Sequence, residues 1–195
     1  MRTWTRAAAA TAGAVALTAA LTGCEGPAAG AKKKVPAPAA DRTTYSLGEP
    51  SAPHDSSRQD SDGAKFTVTP TRVVTGTEAD MDGSGLKKDA SEGPQVPVFV
   101  HATLTHKSGP AMQVRDMDDD LIVRTDSGMR TKALIVFMGS AKWADCPDVD
   151  DNKKLTPGQS EQVCSAFLIP ANQKAAAVEL SRGFMKPPLE WPVRN

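Results

Sequence analysis

The chain has 195 residues, with 23 Lys and Arg against 23 Asp and Glu, three cysteines and only 5% aromatic residues. Residues 1–23 hold two arginines and no acid, so the remainder has a formal charge of −2, and residues 43–195, with 17 basic and 21 acidic side chains, have −4. This mildly acidic balance argues against nucleic acid, whose recognition requires a concentrated basic face. About 150 residues are enough for one domain with its own core.

The first 23 residues have the features of an export signal. Arg2 and Arg6 precede an uncharged stretch, residues 7–21, that is dominated by Ala, Val and Leu. This stretch is shorter than the roughly 20 apolar residues that a membrane-spanning helix needs. Its length and its position after a short basic segment fit the apolar region of a secretory signal peptide.

The signal ends in Leu21, Thr22, Gly23 and Cys24, a pattern that resembles the lipobox of bacterial lipoproteins. The resemblance implies cleavage before Cys24 and a diacylglycerol on its thiol. We therefore expect a protein that is lipid-anchored at Cys24 on the extracytoplasmic face of the cell membrane, where two or more acyl chains make attachment durable. The alternative is an ordinary secretory signal with an incidental cysteine.

Residues 24–42 predict a disordered tether after the lipidated cysteine. They are rich in Pro, Ala, Gly and Lys, with almost nothing to bury in a core. Lys32, Lys33 and Lys34 would either contact anionic lipid headgroups or only keep the tether extended.

From residue 64 onward apolar and polar residues alternate with a period of two, which is typical of β-strands. Residues 171–180 are the one segment where a short helix competes with a strand, and Pro192 places the last strand at a sheet edge. The pattern predicts an all-β, immunoglobulin-like β-sandwich of about seven or eight strands in residues 43–195. The clearest strands are at residues 65–74, 96–105, 121–124, 131–137, 162–169, 174–180 and 189–193.

Several stretches resemble the telokin-like lipoprotein family of Gram-positive bacteria, an immunoglobulin-type domain of unknown function. The resemblance covers roughly residues 43–182, with His106 where the family often has Asn and a long insertion at residues 76–95. It implies a sandwich fold, a lipoprotein or secreted context, and no established catalytic residues. The matching stretches are residues 45–49, which the resemblance implies are an opening strand, and residues 66–74, 98–105, 120–128, 155–160 and 167–170.

Two cysteines, Cys146 and Cys164, remain once Cys24 is assigned to a lipid. In an oxidising compartment two such cysteines most simply form a disulfide. Free thiols and half of a metal site are the alternatives, although no CxxC motif or nearby His supports a metal.

The sharpest local motif is Asp80, Asp82, Ser84 and Gly85. It places oxygen ligands at positions 1, 3 and 5 and glycine at position 6 of a calcium loop, but position 12 is Ser91 instead of a glutamate. We expect either a weak calcium site on Asp80, Asp82 and Ser84 or a flexible hairpin loop. No other cofactor is expected.

Two further acidic runs follow, at residues 116–120 and 145–151, and they would bind a divalent cation or a basic partner, or simply be solvated. Trp143, Asp148 and Asp150 are the candidate binding residues, because Trp143 stands beside the acidic segment that holds Cys146. His101 and His106 are an odd number of residues apart on one strand and should point to opposite faces.

No hydrolase, metalloprotease or nucleotide-binding motif is present in the sequence. The sequence therefore favours a non-enzymatic, membrane-anchored module that binds a protein or another envelope ligand. A calcium-binding module and a hydrolase with a dispersed active site are the two alternatives.

Overall fold

The computed structural model describes residues 42–86, 91, 93–136 and 141–194. The predicted signal peptide, Cys24 and the tether up to residue 41 lie outside the described residues. None of the described helices is long and apolar enough to span a membrane.

Two four-stranded antiparallel sheets enclose the core and confirm the predicted immunoglobulin-like sandwich. With strands numbered along the chain, the first sheet has β1 (His54–Asp55), β2 (Lys65–Thr75), β3 (Gln95–Ser108) and β8 (Ser160–Pro170), in that order. The second sheet runs β10 (Leu189–Pro192), β9 (Ala175–Leu180), β5 (Leu121–Thr125) and β6 (Arg130–Lys132). A small third ladder pairs β4 (Met112–Gln113) with β7 (Lys154–Leu155).

The period-two pattern explains which side chains form the core. On β3, Val98, Val100 and Leu104 are fully buried between the sheets, because alternate side chains of a strand face one side. Pro70 lies at a register shift between β2 and β3, which lets this residue without an N–H sit within the strand. Trp191 on β10 is fully buried, and the predicted edge position of β10 is confirmed.

Two strand predictions were wrong. Residues 45–49 do not form an opening strand: Thr44 makes one isolated bridge to Glu190, and the chain then turns, with the Glu49 N–H donating to the Ser46 carbonyl. The strand predicted at residues 131–137 ends at Lys132, because the chain leaves the second sheet there and crosses to β8. Residue 137 lies outside the described part.

The sequence also predicted no helix, whereas the structure has two short ones, α1 (Glu78–Gly83) and α2 (Val114–Asp118). The flexible loop expected around residue 80 is α1. Its start is fixed by a capping box in which Thr77 and Asp80 bond to each other's backbone N–H. The helix that competed with a strand at residues 171–180 does not form, since β9 occupies its second half.

One glycine is required by close backbone packing at the turn after β3. Gly109 has φ +91°, and a Cβ there would lie 2.6 Å from the Gly63 carbonyl oxygen and 2.7 Å from Ala64 Cα. Gly128 has a similar φ of +86° but open space around it. We expect Gly109→Ala to lower the free energy of unfolding by about 2 kcal/mol and Gly128→Ala by about 1 kcal/mol. Equal losses in urea titrations of the two variants would contradict the packing argument.

Candidate functional site

A cleft of about 400 Å³ opens where the edge strands β6 and β8 of the two sheets approach each other. Residues 133–136 cross this open side, with the Leu134 N–H donating to the Ala166 carbonyl at 2.7 Å. The end of α2 and the segment 141–151 complete the walls. We call this feature the edge cleft.

The segment 141–151 is held against the sandwich at three points. The Lys142 N–H donates to the Ser84 carbonyl at 3.1 Å, next to the end of α1. The predicted disulfide between Cys146 and Cys164 joins its middle to β8, with a Cα–Cα distance of 5.3 Å. At its end the Arg115 N–H donates to the Asp151 carbonyl at 3.2 Å. The wall of the edge cleft that is formed by segment 141–151 is therefore covalently attached to β8, the edge strand of the first sheet.

The aromatic wall of the edge cleft is Trp143. Its half-buried ring packs edge-on against the buried Phe99 of β3, with ring centroids 5.3 Å apart at an interplanar angle of 64°. Ile135 also lines the cleft and is 68% exposed, which is unusual for so large an aliphatic side chain. The cleft thus offers apolar surface from two separate chain segments.

The acidic wall is formed by Asp118, Asp119, Asp148 and Asp151, which come from the two acidic runs of the sequence. Asp118 accepts a hydrogen bond from the Ser165 hydroxyl at 3.1 Å. Burial raises the pKa of Asp118 to about 7, and the charges of Asp151 and Asp119 add to this effect. Burial and then Asp119 also raise the pKa of Asp151. The clustered carboxylates therefore make one another's ionisation less favourable.

Two arginines offset part of this charge. Arg58 forms an ion pair with Asp119 at 2.7 Å, and Arg115 lowers the pKa of Asp151 against the larger effect of burial. The Arg115 guanidinium Nε donates to the Gln113 side chain at 2.8 Å. In the described part of the cleft no ion pair to Asp118, Asp148 or Asp151 is formed, so the net field there remains negative.

Of the three candidate binding residues, Trp143 and Asp148 line the edge cleft together. Asp150 does not line it. The Asp150 carboxylate instead accepts from the Asn152 N–H at 3.1 Å, and its carbonyl accepts from the Lys153 N–H, so this residue stabilises the turn that leads to β7.

The candidate calcium ligands are used locally within α1 and its C-terminal turn. One Asp80 carboxylate oxygen accepts from both the N–H and the hydroxyl of Thr77, at 2.6 and 2.8 Å. The buried Ser84 hydroxyl donates to the Met81 carbonyl at 2.7 Å. Asp82 is on the same helix. Nowhere in the described ranges are three His, Cys, Asp or Glu side chains grouped as for a metal ion.

His101 and His106 point to opposite faces of β3, as predicted. His106 is buried on the core side, where a ring nitrogen lies 2.8 Å from the Pro110 carbonyl oxygen. His101 lies on the outer side, with Nε2 2.8 Å from the Arg72 guanidinium and 3.8 Å from the Cys164 sulfur. Burial and the Arg72 charge lower the pKa of His101.

Sequence reasoning missed Ser165, Ile135 and the special position of Asp118 within its acidic run. Ser165 is one residue of an alternating strand, and Ile135 was assigned to a strand that ends earlier. The pattern of β8 could have indicated that Ser165 faces inward, since it shares its face with Val163 and Phe167. Nothing local indicates which carboxylate meets it.

The buried carboxyl predicts a specific pH dependence of stability. Because the pKa of Asp118 is raised in the fold, folding binds a proton between pH 4 and 7, and stability falls as pH rises through that window. Asp118→Asn removes this contribution. We expect the melting temperature of the variant to rise relative to that of the parent as the pH increases from 4 to 7. Below pH 4 the two melting temperatures should differ little. A difference in melting temperature between variant and parent that stays constant with pH would contradict the raised pKa of Asp118.

A comparison with solved structures supports the sandwich fold. A secreted protein of Mycobacterium tuberculosis, MPT63, aligns with a TM-score of 0.51 and 13% identity over 79% of this chain and 99% of that one. An uncharacterised β-sandwich protein of Clostridium difficile 630 aligns with a TM-score of 0.44 and 12% identity over 78% and 95% of the two chains. No protein-family model and no curated protein matches the chain. The likeness to MPT63 supports the β-sandwich and does not extend to the telokin-like family.

Proposed function

We propose that this protein is an extracytoplasmic, lipid-anchored binding module whose edge cleft holds a basic segment of an envelope protein. The observation that carries the proposal is the meeting of Trp143 with the carboxylates of two separate acidic runs in one cleft. Lys and Arg side chains match this combination, because their stems pack on apolar surface while their charged ends remain polar.

The charges of the cleft favour a cationic peptide over a metal ion. Burial is the larger cause of both raised pKa values, but the charge of Asp151 also raises the pKa of Asp118, and that of Asp119 raises the pKa of both. A cation placed among them would relieve this repulsion. Asp148 is exposed at the rim and Arg115 lies on the same wall, which suits a peptide with spaced charges better than a small ion. Calcium at Asp80 would have to displace the capping box of α1.

The hydrolase alternative would use the Ser165 and Asp118 pair. We do not propose it, because Ser165 is only 7% exposed and its hydroxyl donates to the Asp118 carboxyl from the core-facing side of β8. The proposed function is binding without a chemical step.

The cleft is tested by titrating the unlipidated mature chain with acetylated pentalysine amide and pentaarginine amide, with pentaglutamate as the negative probe. In the mature chain Trp143 and the buried Trp191 are the tryptophans, so a ligand in the cleft should change Trp143 fluorescence. We expect saturable binding of the basic peptides that is weakened about fivefold or more by Asp148→Asn or Asp151→Asn. The matched control is Asp60→Asn, an exposed acid in the turn Gln59–Ser61. Equal weakening by all three variants would contradict a cleft-specific site.

The proposed location rests on the signal features, on the lipobox resemblance and on the disulfide, which persists in oxidising compartments. Cys24→Ser should move the protein from the salt-washed membrane fraction to the soluble fraction, with loss of the mass of the lipid. A variant that stays in the salt-washed membranes with unchanged mass would contradict lipid attachment.

A further inference from the structure

The loop between β9 and β10 exposes two large apolar side chains side by side. Phe184 is 109% and Met185 95% exposed, so neither side chain has any cover. Ile135 in the edge cleft is the other large apolar side chain of this kind among the described residues. An exposed Phe and Met at the tip of one loop are costly in water, which points to a surface that covers them.

This loop is held in shape. Gly183 turns the chain with φ +78°, and two prolines, Pro187 and Pro188, restrict the return to β10. The Arg182 guanidinium spans the loop and donates to the Pro187 carbonyl from Nε at 2.8 Å and from Nη2 at 2.6 Å. Phe184 and Met185 are therefore presented by a closed and restrained turn.

Positive charge flanks the apolar tip. Arg182 and Lys186 stand on either side of it, and neither forms an ion pair within the described residues. Burial and then the charge of Arg182 lower the pKa of the neighbouring His54 to about 4, against the opposing effects of Asp55 and Asp120. The nearby Asp55 is itself paired with Lys65.

The chain that leads back to Cys24 joins the domain at the same end. The Glu190 N–H donates to the Thr43 carbonyl at 2.7 Å, and the Tyr45 N–H donates to the Glu190 carbonyl at 2.8 Å. This contact is parallel, with Thr44 opposite Glu190, so residue 42 lies level with residue 188. A domain tethered through its N-terminus to a bilayer thus has the exposed loop beside its point of attachment.

We propose that residues 181–188 are a membrane-docking loop that inserts Phe184 and Met185 into the surface of an anionic phospholipid bilayer. Apolar tip residues enter the interface, while Arg182 and Lys186 meet the lipid phosphates. The lipid anchor of the proposed function supplies the biological setting, but the affinity of the loop for a bilayer is its own property. Docking would fix the domain's orientation, and the edge cleft would keep a constant position relative to the membrane.

The test uses the mature chain, residues 24–195, with Cys24→Ser, so that no lipid contributes. It is mixed with vesicles of equal parts phosphatidylglycerol and phosphatidylcholine and with vesicles of phosphatidylcholine alone, and bound protein is measured by flotation. We expect binding to the anionic vesicles that weakens with added salt. Phe184→Ser with Met185→Ser should weaken it about tenfold or more. Lys186→Gln should weaken it about fivefold.

The matched control is Lys174→Gln, which removes an exposed positive charge at the end of β9 away from the loop and should leave vesicle binding unchanged. Insertion is read directly from Phe184→Trp, whose fluorescence should be quenched by lipids brominated on their acyl chains. Since the loop side chains are exposed, all variants should keep the parent's melting temperature.

The proposal is overturned if the parent does not bind anionic vesicles at low salt, or if the double serine variant binds as the parent does. The second result would assign vesicle binding to the lysines at residues 32–34. The proposal is also overturned if lipids brominated on their acyl chains do not quench the fluorescence that the Phe184→Trp variant gains over the parent. It is overturned as well if a protein, instead of lipid, is found to cover the loop. Peptide binding by the edge cleft is measured on the same samples, so failure of the loop and failure of the proposed function are distinguishable.

Discussion

Trp191→Ala is expected to lower the free energy of unfolding by about 4 kcal/mol. The side chain is fully buried on β10, and its ring stacks on Tyr45 with centroids 5.4 Å apart. The indole N–H donates to the Glu49 carbonyl at 2.9 Å, so one residue joins β10 to the segment before β1. Its removal leaves a large cavity and an unpaired carbonyl, which together account for a loss of this size.

The measurement is urea unfolding followed by circular dichroism, because the substitution also removes a fluorophore. Trp191→Phe is the control: it keeps an aromatic ring in the cavity but loses the hydrogen bond and part of the ring volume, so we expect a loss of about 1–2 kcal/mol. An alanine variant that loses less than about 1.5 kcal/mol would show that this contact does not hold the N-terminal segment to the sandwich.

Removal of the disulfide is expected to lower the free energy of unfolding by about 3 kcal/mol, since Cys146 and Cys164 are 18 residues apart in sequence and close a loop of that size. The variant is Cys146→Ala with Cys164→Ala, which leaves no unpaired thiol. The segment 141–151 would then be held by one backbone hydrogen bond at each end and by the packing of Trp143 on Phe99, and its covalent attachment to β8 would be lost.

The double variant should therefore weaken binding of the basic peptides as well as stability. Reductant should lower the melting temperature of the parent and leave that of the double variant unchanged. If the parent and the double variant unfold at the same urea concentration, the cross-link contributes nothing to the fold. If the double variant binds the basic peptides as the parent does, the edge cleft does not depend on the cross-link.

Much of the sandwich could be predicted because its signals are local. Alternation along residues 96–105 identified β3 and the opposite faces of His101 and His106, and the break between the strands predicted at residues 121–124 and 131–137 lies at the hairpin of β5 and β6. α1 was missed although its signal is also local. Thr77 and Asp80 have the spacing of a capping box, but Asp80 was read as part of a calcium loop.

The edge cleft could be predicted only in part, because it depends on contacts distant in sequence. Trp143 and Asp148 were predicted to be binding residues because they lie near Cys146 in the sequence, and both line the edge cleft. The contact that buries Asp118 comes from Ser165, 47 residues later, and depends on where α2 ends against β8. No spacing rule separates Asp118 from its acidic neighbours, and none distinguishes the turn-forming Asp150 from the cleft residue Asp148.

The central claim, that the edge cleft holds a basic segment of an envelope protein, is tested most directly by crosslinking in living cells. A photo-reactive amino acid replaces Ile135, which is exposed within the cleft, and in a second strain it replaces Asp60, which is exposed outside it. We predict that position 135 captures one reproducible partner through a Lys- or Arg-rich segment and that position 60 does not. Trp143→Ala or Asp148→Asn should strongly reduce the capture. The same products at both positions, or capture that is unaffected by the two cleft variants, would contradict the claim.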